Sequence, residues 1–178
     1  MKFEVFTLDT APEKSRPFLE KSLAAFGSIP NLHAVLAQSP AVLEAYQGLT
    51  GYFQKTSFNK EEITVIWQTI NIEHECAYCF PAHTAVAYSM GVDEEVIQAL
   101  RNKAELPSEK LVILQQTTLS LVKNRGKISA AEISQFAQAG YNQQHIMEII
   151  LGISHKVISN YVNHIAETPL DESFKKFL

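Results

Sequence analysis

From Pro17 to Ile165 the chain repeats one punctuation: a capping residue or proline, an apolar stripe at three- and four-residue spacing, then a glycine or polar break. That rhythm leaves room for little except helices. Pro17 opens a stripe of Phe18, Leu19, Leu23 and Phe26, which Gly27 closes as a helix C-cap does. Ser39-Pro40 sets a cap before proline at the first helical position, and Val42, Leu43, Tyr46, Leu49 and Phe53 follow. Asn59 to Glu62 reads as a capping box ahead of Ile63, Ile66, Trp67 and Ile70. Asp93 caps a segment from Glu94 to Asn102, Pro107-Ser108 opens a helix ending near Asn124, and Ser129 to Glu132 is a second box. Asn142 begins the longest stretch, which places Ile146, Ile149, Ile150, Ile153, Val157 and Tyr161 on one side. Only Phe3 to Thr7 alternates like a strand, and one short strand has nothing to pair with. The expected architecture is an all-α single domain over residues 1–178, a helical bundle of about eight helices. The first dozen residues and the last eight read as arms that pack on a neighbouring copy.

Charge and composition narrow the function. The 178 residues are 46% hydrophobic, enough for one core, and the net charge is −4. The basic residues form no run, so neither a nucleic-acid footprint nor a polybasic membrane patch is present in the sequence. Glu4, Thr7 and Asp9 interrupt any apolar leader. The most apolar long segment, Ile146 to Ile165, carries Glu148, His155, Lys156, Asn160, Asn163 and His164, which suits a buried helix rather than a membrane span. The expected compartment is cytoplasmic, where thiols stay mostly reduced.

Chemistry concentrates between Asn71 and His83, which holds both cysteines, two histidines and two carboxylates. At about 100° per helical residue, Cys76, Cys79 and His83 fall on one stripe, with Cys79 and His83 four apart. Pro81 cannot donate to the carbonyl of Ala77, so a helix begins or kinks here. The cysteines then lie at or beside a first turn, where free N–H groups favour a thiolate. His83 could accept the Cys79 proton, and a carboxylate behind it could orient the imidazole. This is the layout of a dithiol that reacts with an oxidant and closes as Cys76–Cys79. A C-x-x-C-x-x-x-H run can also hold zinc, with His74, Glu73, His155 or His164 as fourth ligand. Haem attachment needs histidine directly after the second cysteine, and residue 80 is Phe.

These residues resemble the alkylhydroperoxidase D-like branch of the carboxymuconolactone decarboxylase superfamily. Gly27 to Leu32 with Ser39-Pro40 is similar to its entry segment, and Asn71 to Thr84 to its core. Asn160 to His164 with Thr168 to Asp171 resembles the ending of one subgroup. The resemblance implies a thiol-dependent peroxidase that needs no cofactor. Cys79 would attack a hydroperoxide, Cys76 would resolve the sulfenate into a disulfide, and a protein dithiol would re-reduce it. The relay histidine maps onto His83. The family's relay glutamate lies twelve residues before the first cysteine, where this chain has Thr64. Glu73, three residues before Cys76, is the expected substitute. Glu62 reads as the capping-box partner of Asn59, and Glu61 fits only with three extra residues in the following loop. Tyr78 stands where some relatives carry histidine; a phenol passes a hydrogen bond but is a poor base, and packing at an oligomer seam is the alternative.

Other residues read more plainly. Trp67, Tyr88 and Met90 are expected in the core, and His145, His155 and His164 at a surface or interface. A homo-oligomer is expected because the relatives form helical assemblies. Two other functions stay open on these residues: a redox sensor without turnover, and a zinc-binding structural protein.

Overall fold

The structure, a computed structural model, describes residues 2–178. Among these residues there are nine α-helices, two 3-10 turns and no strand. The helices are α1 (Arg16–Phe26), α2 (Asn31–Leu36), α3 (Pro40–Phe53), α4 (Lys60–Glu73), α5 (Cys79–Ser89), α6 (Glu94–Asn102), α7 (Glu109–Lys123), α8 (Ala130–Gln138) and α9 (Gln143–Ala166). The one beyond the expected eight is α2, a short helix that starts directly after Pro30. Among the described residues no helix is long and apolar enough to cross a membrane.

The expected caps at Asn59, Asp93, Ser108 and Ser129 form, whereas Ser39 precedes α3 without a side-chain cap bond. Asn59 Oδ1 accepts from the Glu62 amide at 2.9 Å while Glu62 returns a bond to the Asn59 amide at 3.0 Å, and Ser129 and Glu132 repeat the exchange at 3.2 and 2.8 Å. Gly27 ends α1 at φ +72°, in the left-handed region that glycine enters without a Cβ clash.

Helix α4 organises everything else. Its residues from Glu62 to Asn71 are buried on all sides, because α5, α7 and α9 surround it. One apolar core gathers Ile63, Ile66 and Ile70 of α4 with residues of α6, α7, α8 and the first half of α9. A second gathers residues of α1, α2 and α3 with Cys76, Tyr78 and Cys79. The first half of α9 faces the first core through Ile149, whereas Ile150 and Tyr161, expected beside it, are exposed. The second half buries polar side chains instead: Lys156, Ser159, Asn160 and Asn163. The CxxC turn and this polar stripe meet at the seam between the two cores.

Both chain ends depart from expectation by folding onto their own chain. Phe6 and Ala11 are buried in the second core, and Leu170 and Phe174 pack against it. The segment from Phe3 to Thr7 forms no strand. Tyr88 is a surface residue rather than core: its hydroxyl donates to Glu94 at 2.9 Å and its ring stacks on Phe177.

Helix α9 lies close against α3 and α4 at Gly152. A Cβ there would lie 2.7 Å from Phe53 Cε2, and the Phe53 ring is fully buried. Overpacking costs about 1–3 kcal/mol, against about 1 kcal/mol of helix propensity gained. Gly152→Ala is therefore expected to lower stability by on the order of 1 kcal/mol, a fall in Tm of about 2–4 °C in thermal unfolding.

Candidate active site

The turn between α4 and α5 sets the cysteines. Glu75 takes a positive φ of 51°, which swings the chain out of α4 and brings the Cys76 amide onto the Asn71 carbonyl at 3.0 Å. Cys79 then starts α5, with Pro81 in its first turn, where the missing N–H costs nothing. Cys76 lies outside the helix, and its sulfur accepts from the Cys79 amide at 3.3 Å. Both thiols are free and only 1% exposed.

Helix α9 supplies the polar wall opposite them. Asn163 Nδ2 donates to Cys79 Sγ at 3.1 Å and reaches Cys76 Sγ at 3.9 Å. Asn160 Nδ2 donates to Asn71 Oδ1 at 3.0 Å, which leaves Asn160 Oδ1 to accept from His74 Nδ1 at 2.9 Å. Asn71 Nδ2 bonds Gln68 Oε1 at 2.9 Å and the Cys79 carbonyl at 3.4 Å. Gln68 Nε2 in turn holds the Phe80 carbonyl and Thr84 Oγ1 at 3.1 and 3.0 Å. The chain of amides ties α4, α5 and α9 around the sulfurs, and each member orients the next.

This setting splits the two thiols. Burial works against a Cys79 thiolate, but the hydrogen bond from the Cys76 thiol, the charge of Lys156 and the amides of Asn163 and Asn160 outweigh it and bring the group from 9.0 down to about 5. Cys76 moves the other way, because its proton is held on the Cys79 sulfur, burial disfavours its charge and a second thiolate beside the first is repelled.

His83 and Lys156 form the third part. Lys156 is fully buried, and its Nζ lies 2.8 Å from His83 Nε2. As an ammonium, Lys156 only donates, and His83 then accepts at Nε2 and carries its proton at Nδ1. That Nδ1 is buried and has no hydrogen-bond partner among the described residues. Burial first, then the charges of Lys156 and His155, hold the imidazole neutral, well below its ordinary 6.5. His83 thus makes no hydrogen bond to Cys79, although the two are four apart on α5. The Trp67 ring packs on His83 at 4.7 Å, as a core residue.

The carboxylate expected behind His83 is not there. Glu73, at the last position of α4, pairs with Lys123 of α7 at 3.3 Å, and the group that meets His83 is a lysine. Glu62 completes its capping box and accepts from Tyr141 and Lys110, both at 2.9 Å; Glu61 lies 3.7 Å from Lys60. His155, expected at a surface, is buried: its ring stacks on Tyr46 at 4.6 Å and its Nε2 meets Thr50 Oγ1 at 2.9 Å. His145 caps α9 and His164 is exposed. Among the described residues no three His, Cys, Asp or Glu side chains converge as metal ligands. The site residue missed in the sequence is Lys156, and its signal was present: Lys156, Asn160 and Asn163 recur at helical spacing within an otherwise apolar stretch.

Tyr78 turns out to be a clasp. Its hydroxyl donates to Asp171 Oδ2 at 2.5 Å and accepts from the Leu32 amide at 3.2 Å, while Asp171 also accepts from the Asn31 amide at 3.1 Å. Phe174 packs edge-on against the Tyr78 ring at 6.2 Å. The C-terminal segment is thereby fastened to the CxxC turn.

Fold comparison places this arrangement. A peroxidase-related protein of Ralstonia eutropha JMP134 with an alkylhydroperoxidase D core superposes with a TM-score of 0.84 over 97% of this chain and 93% of its own, at 18% identity. The chain has the alkylhydroperoxidase D-like fold. A peroxidase-related protein of Silicibacter sp. TM1040 matches at 0.82, with 16% identity over 100% of this chain and 95% of its own. The debrominase Bmp8, solved with 2,3,4-tribromopyrrole in a form with one cysteine replaced by alanine, matches at 0.72, with 14% identity over 93% and 89%. No protein-family model matches the chain, and no curated protein matches it in sequence.

Removing the Tyr78 hydroxyl leaves the buried Leu32 amide unpaired and strips Asp171 of a donor. Tyr78→Phe is expected to cost about 1–3 kcal/mol. Hydrogen exchange read by mass spectrometry is expected to speed up in residues 168–178, and unchanged exchange there would show that the clasp does not hold the tail.

Proposed function

We propose that this protein is a dithiol-dependent peroxidase for small hydroperoxides, with Cys79 as the attacking sulfur and Cys76 as the resolving one. One observation carries the reading: the Asn163 side-chain amide lies 3.1 Å from Cys79 Sγ but 3.9 Å from Cys76 Sγ, so Cys79 is the sulfur that this donor prepares to hold negative charge. The thiolate of Cys79 attacks the terminal oxygen of ROOH. The O–O bond breaks, Cys79 becomes a sulfenic acid, and RO⁻ takes one proton to leave as alcohol. The Cys76 thiol then displaces water from the sulfenic acid and forms the Cys76–Cys79 disulfide. An external protein dithiol returns two electrons and two protons by thiol–disulfide exchange. Burial of both sulfurs favours a small substrate. The shared fold with peroxidase-related proteins supports the reading. A line of exposed apolar side chains on α9 (Met147, Ile150, Tyr161 and Ile165) supports self-association.

A redox sensor would use the same dithiol, and the 1% exposure of each sulfur favours it, since a reductant must reach them. Steady-state turnover with a dithiol donor separates the two readings.

Intact mass after a small excess of organic hydroperoxide is expected to show the loss of two hydrogens, mapped to Cys76–Cys79. Cys76→Ser is expected to stop after one turnover with a single added oxygen on Cys79. A Cys79→Ser variant that consumed peroxide as fast as the parent would refute the reading. The pH dependence follows from the thiolate being the reactive form. Below its pKa Cys79 is protonated and inert, so the oxidation rate is expected to be full near neutrality and lost as pH falls through about 5.

A further inference from the structure

We propose that Lys156 is the internal counter-ion of the Cys79 thiolate and the source of the proton that the leaving alkoxide takes, delivered through His83. This rests on the dithiol reading above and deepens it. Lys156 has no exposed surface, and among the described residues no carboxylate hydrogen-bonds or pairs with it, with His83 or with either cysteine. A buried ammonium without an anion is very costly: burial lowers Lys156 from its ordinary 10.5, and the charges of the Cys79 and Cys76 sulfurs are what oppose that shift.

The first leg of the proton path is a hydrogen bond, and the second starts from a free donor. Nζ donates to His83 Nε2, and the imidazole proton sits on Nδ1, buried and unpartnered. When RO⁻ departs, Nδ1–H gives up its proton and Nε2 takes one from Lys156. The site begins as ammonium and thiolate and ends as amine and sulfenic acid, neutral overall both times. Such a step suits a buried site, because no net charge enters or leaves it. Disulfide formation then releases water, and the two protons brought with the reductant restore the Cys76 thiol and the Lys156 ammonium as Cys79 returns to thiolate. Lysine here takes the place that Glu73 was expected to fill, with the opposite sign of charge.

The titratable groups facing the pair are Cys76 from the turn before α5, His83 from α5, His155 beside Lys156 on α9, and Tyr46 from α3. Lys156 acts through charge and through His83, so it is a positioning residue. Its test begins with the pH profile of Cys79 alkylation by iodoacetamide in a Cys76→Ser background, which needs no peroxide. Lys156→Met is expected to move the profile upward by at least one pH unit, about tenfold slower alkylation on the acid limb, and Lys156→Arg to restore most of it. At pH 9 peroxide oxidation is expected to stay at least tenfold slower in Lys156→Met than in the parent. Should Lys156→Met fail to fold, Cys79→Ser asks the same question: the ¹³Cε resonance of Lys156 is expected to titrate at lower pH without the thiolate. An unmoved alkylation profile, or an unmoved Lys156 titration in Cys79→Ser, overturns the counter-ion role whatever the parent does with peroxide. Equal oxidation rates at pH 9 overturn the proton delivery. A profile that shifts although the parent consumes no peroxide supports the counter-ion and sinks the peroxidase reading instead.

Discussion

A lysine ammonium shut away from water imposes conditions on everything around it. Lys156 has no exposed surface, so its hydration must be replaced by groups the fold brings to it. His83 supplies an acceptor at 2.8 Å, and Cys79 supplies the charge. The arrangement is stable only while three helices keep their spacing, since α9 carries the cation and the two asparagines, α5 the imidazole and one sulfur, and α4 the amides that lock both. The buried run from Glu62 to Asn71 shows how that spacing is kept: α4 is packed on every side and cannot shift without opening the first core.

The same constraint explains the polarity of α9. Its first half buries Ile149 against the first core, and its second half buries amides, a hydroxyl and a cation against the CxxC turn. One helix thus changes from a packing element to a reactive wall at the point where it crosses the seam. Aromatic groups line the wall there: Tyr46 stacks on His155 and Trp67 packs edge-on against His83, each within 5 Å. Low polarity around the pair strengthens the attraction between thiolate and ammonium. Reduction of a buried disulfide requires an opening, and the tail held by Asp171 is fastened directly to that turn through Tyr78.

Much of this was legible in one dimension because local rules suffice for it. The capping boxes at Asn59 and Ser129, the left-handed stop at Gly27 and the helix start forced near Pro81 are decisions among neighbours in the chain, so they survive folding unchanged. The i, i+4 relation of Cys79 and His83 is likewise a property of one helix. What failed were statements about partners. Glu73 is close to Cys76 in sequence, yet its position at the end of α4 directs it to Lys123 on α7. His155 lacked ligand spacing to the other histidines and read as surface, yet α3 covers it. The two ends read as arms because their apolar residues had no visible partner, and the partner is the second core of the same chain.

The sequence by itself determined an all-helical chain with two cysteines and a histidine at the mouth of one helix, because those features depend on residues within a turn or two of each other. Only the tertiary structure decided which charge stands behind them. Lys156 lies 73 residues beyond His83, and no periodicity within a helix specifies what a second helix brings across a buried seam. That pairing is set by how α4, α5 and α9 pack, and with it the sign of the charge beside the reactive sulfur.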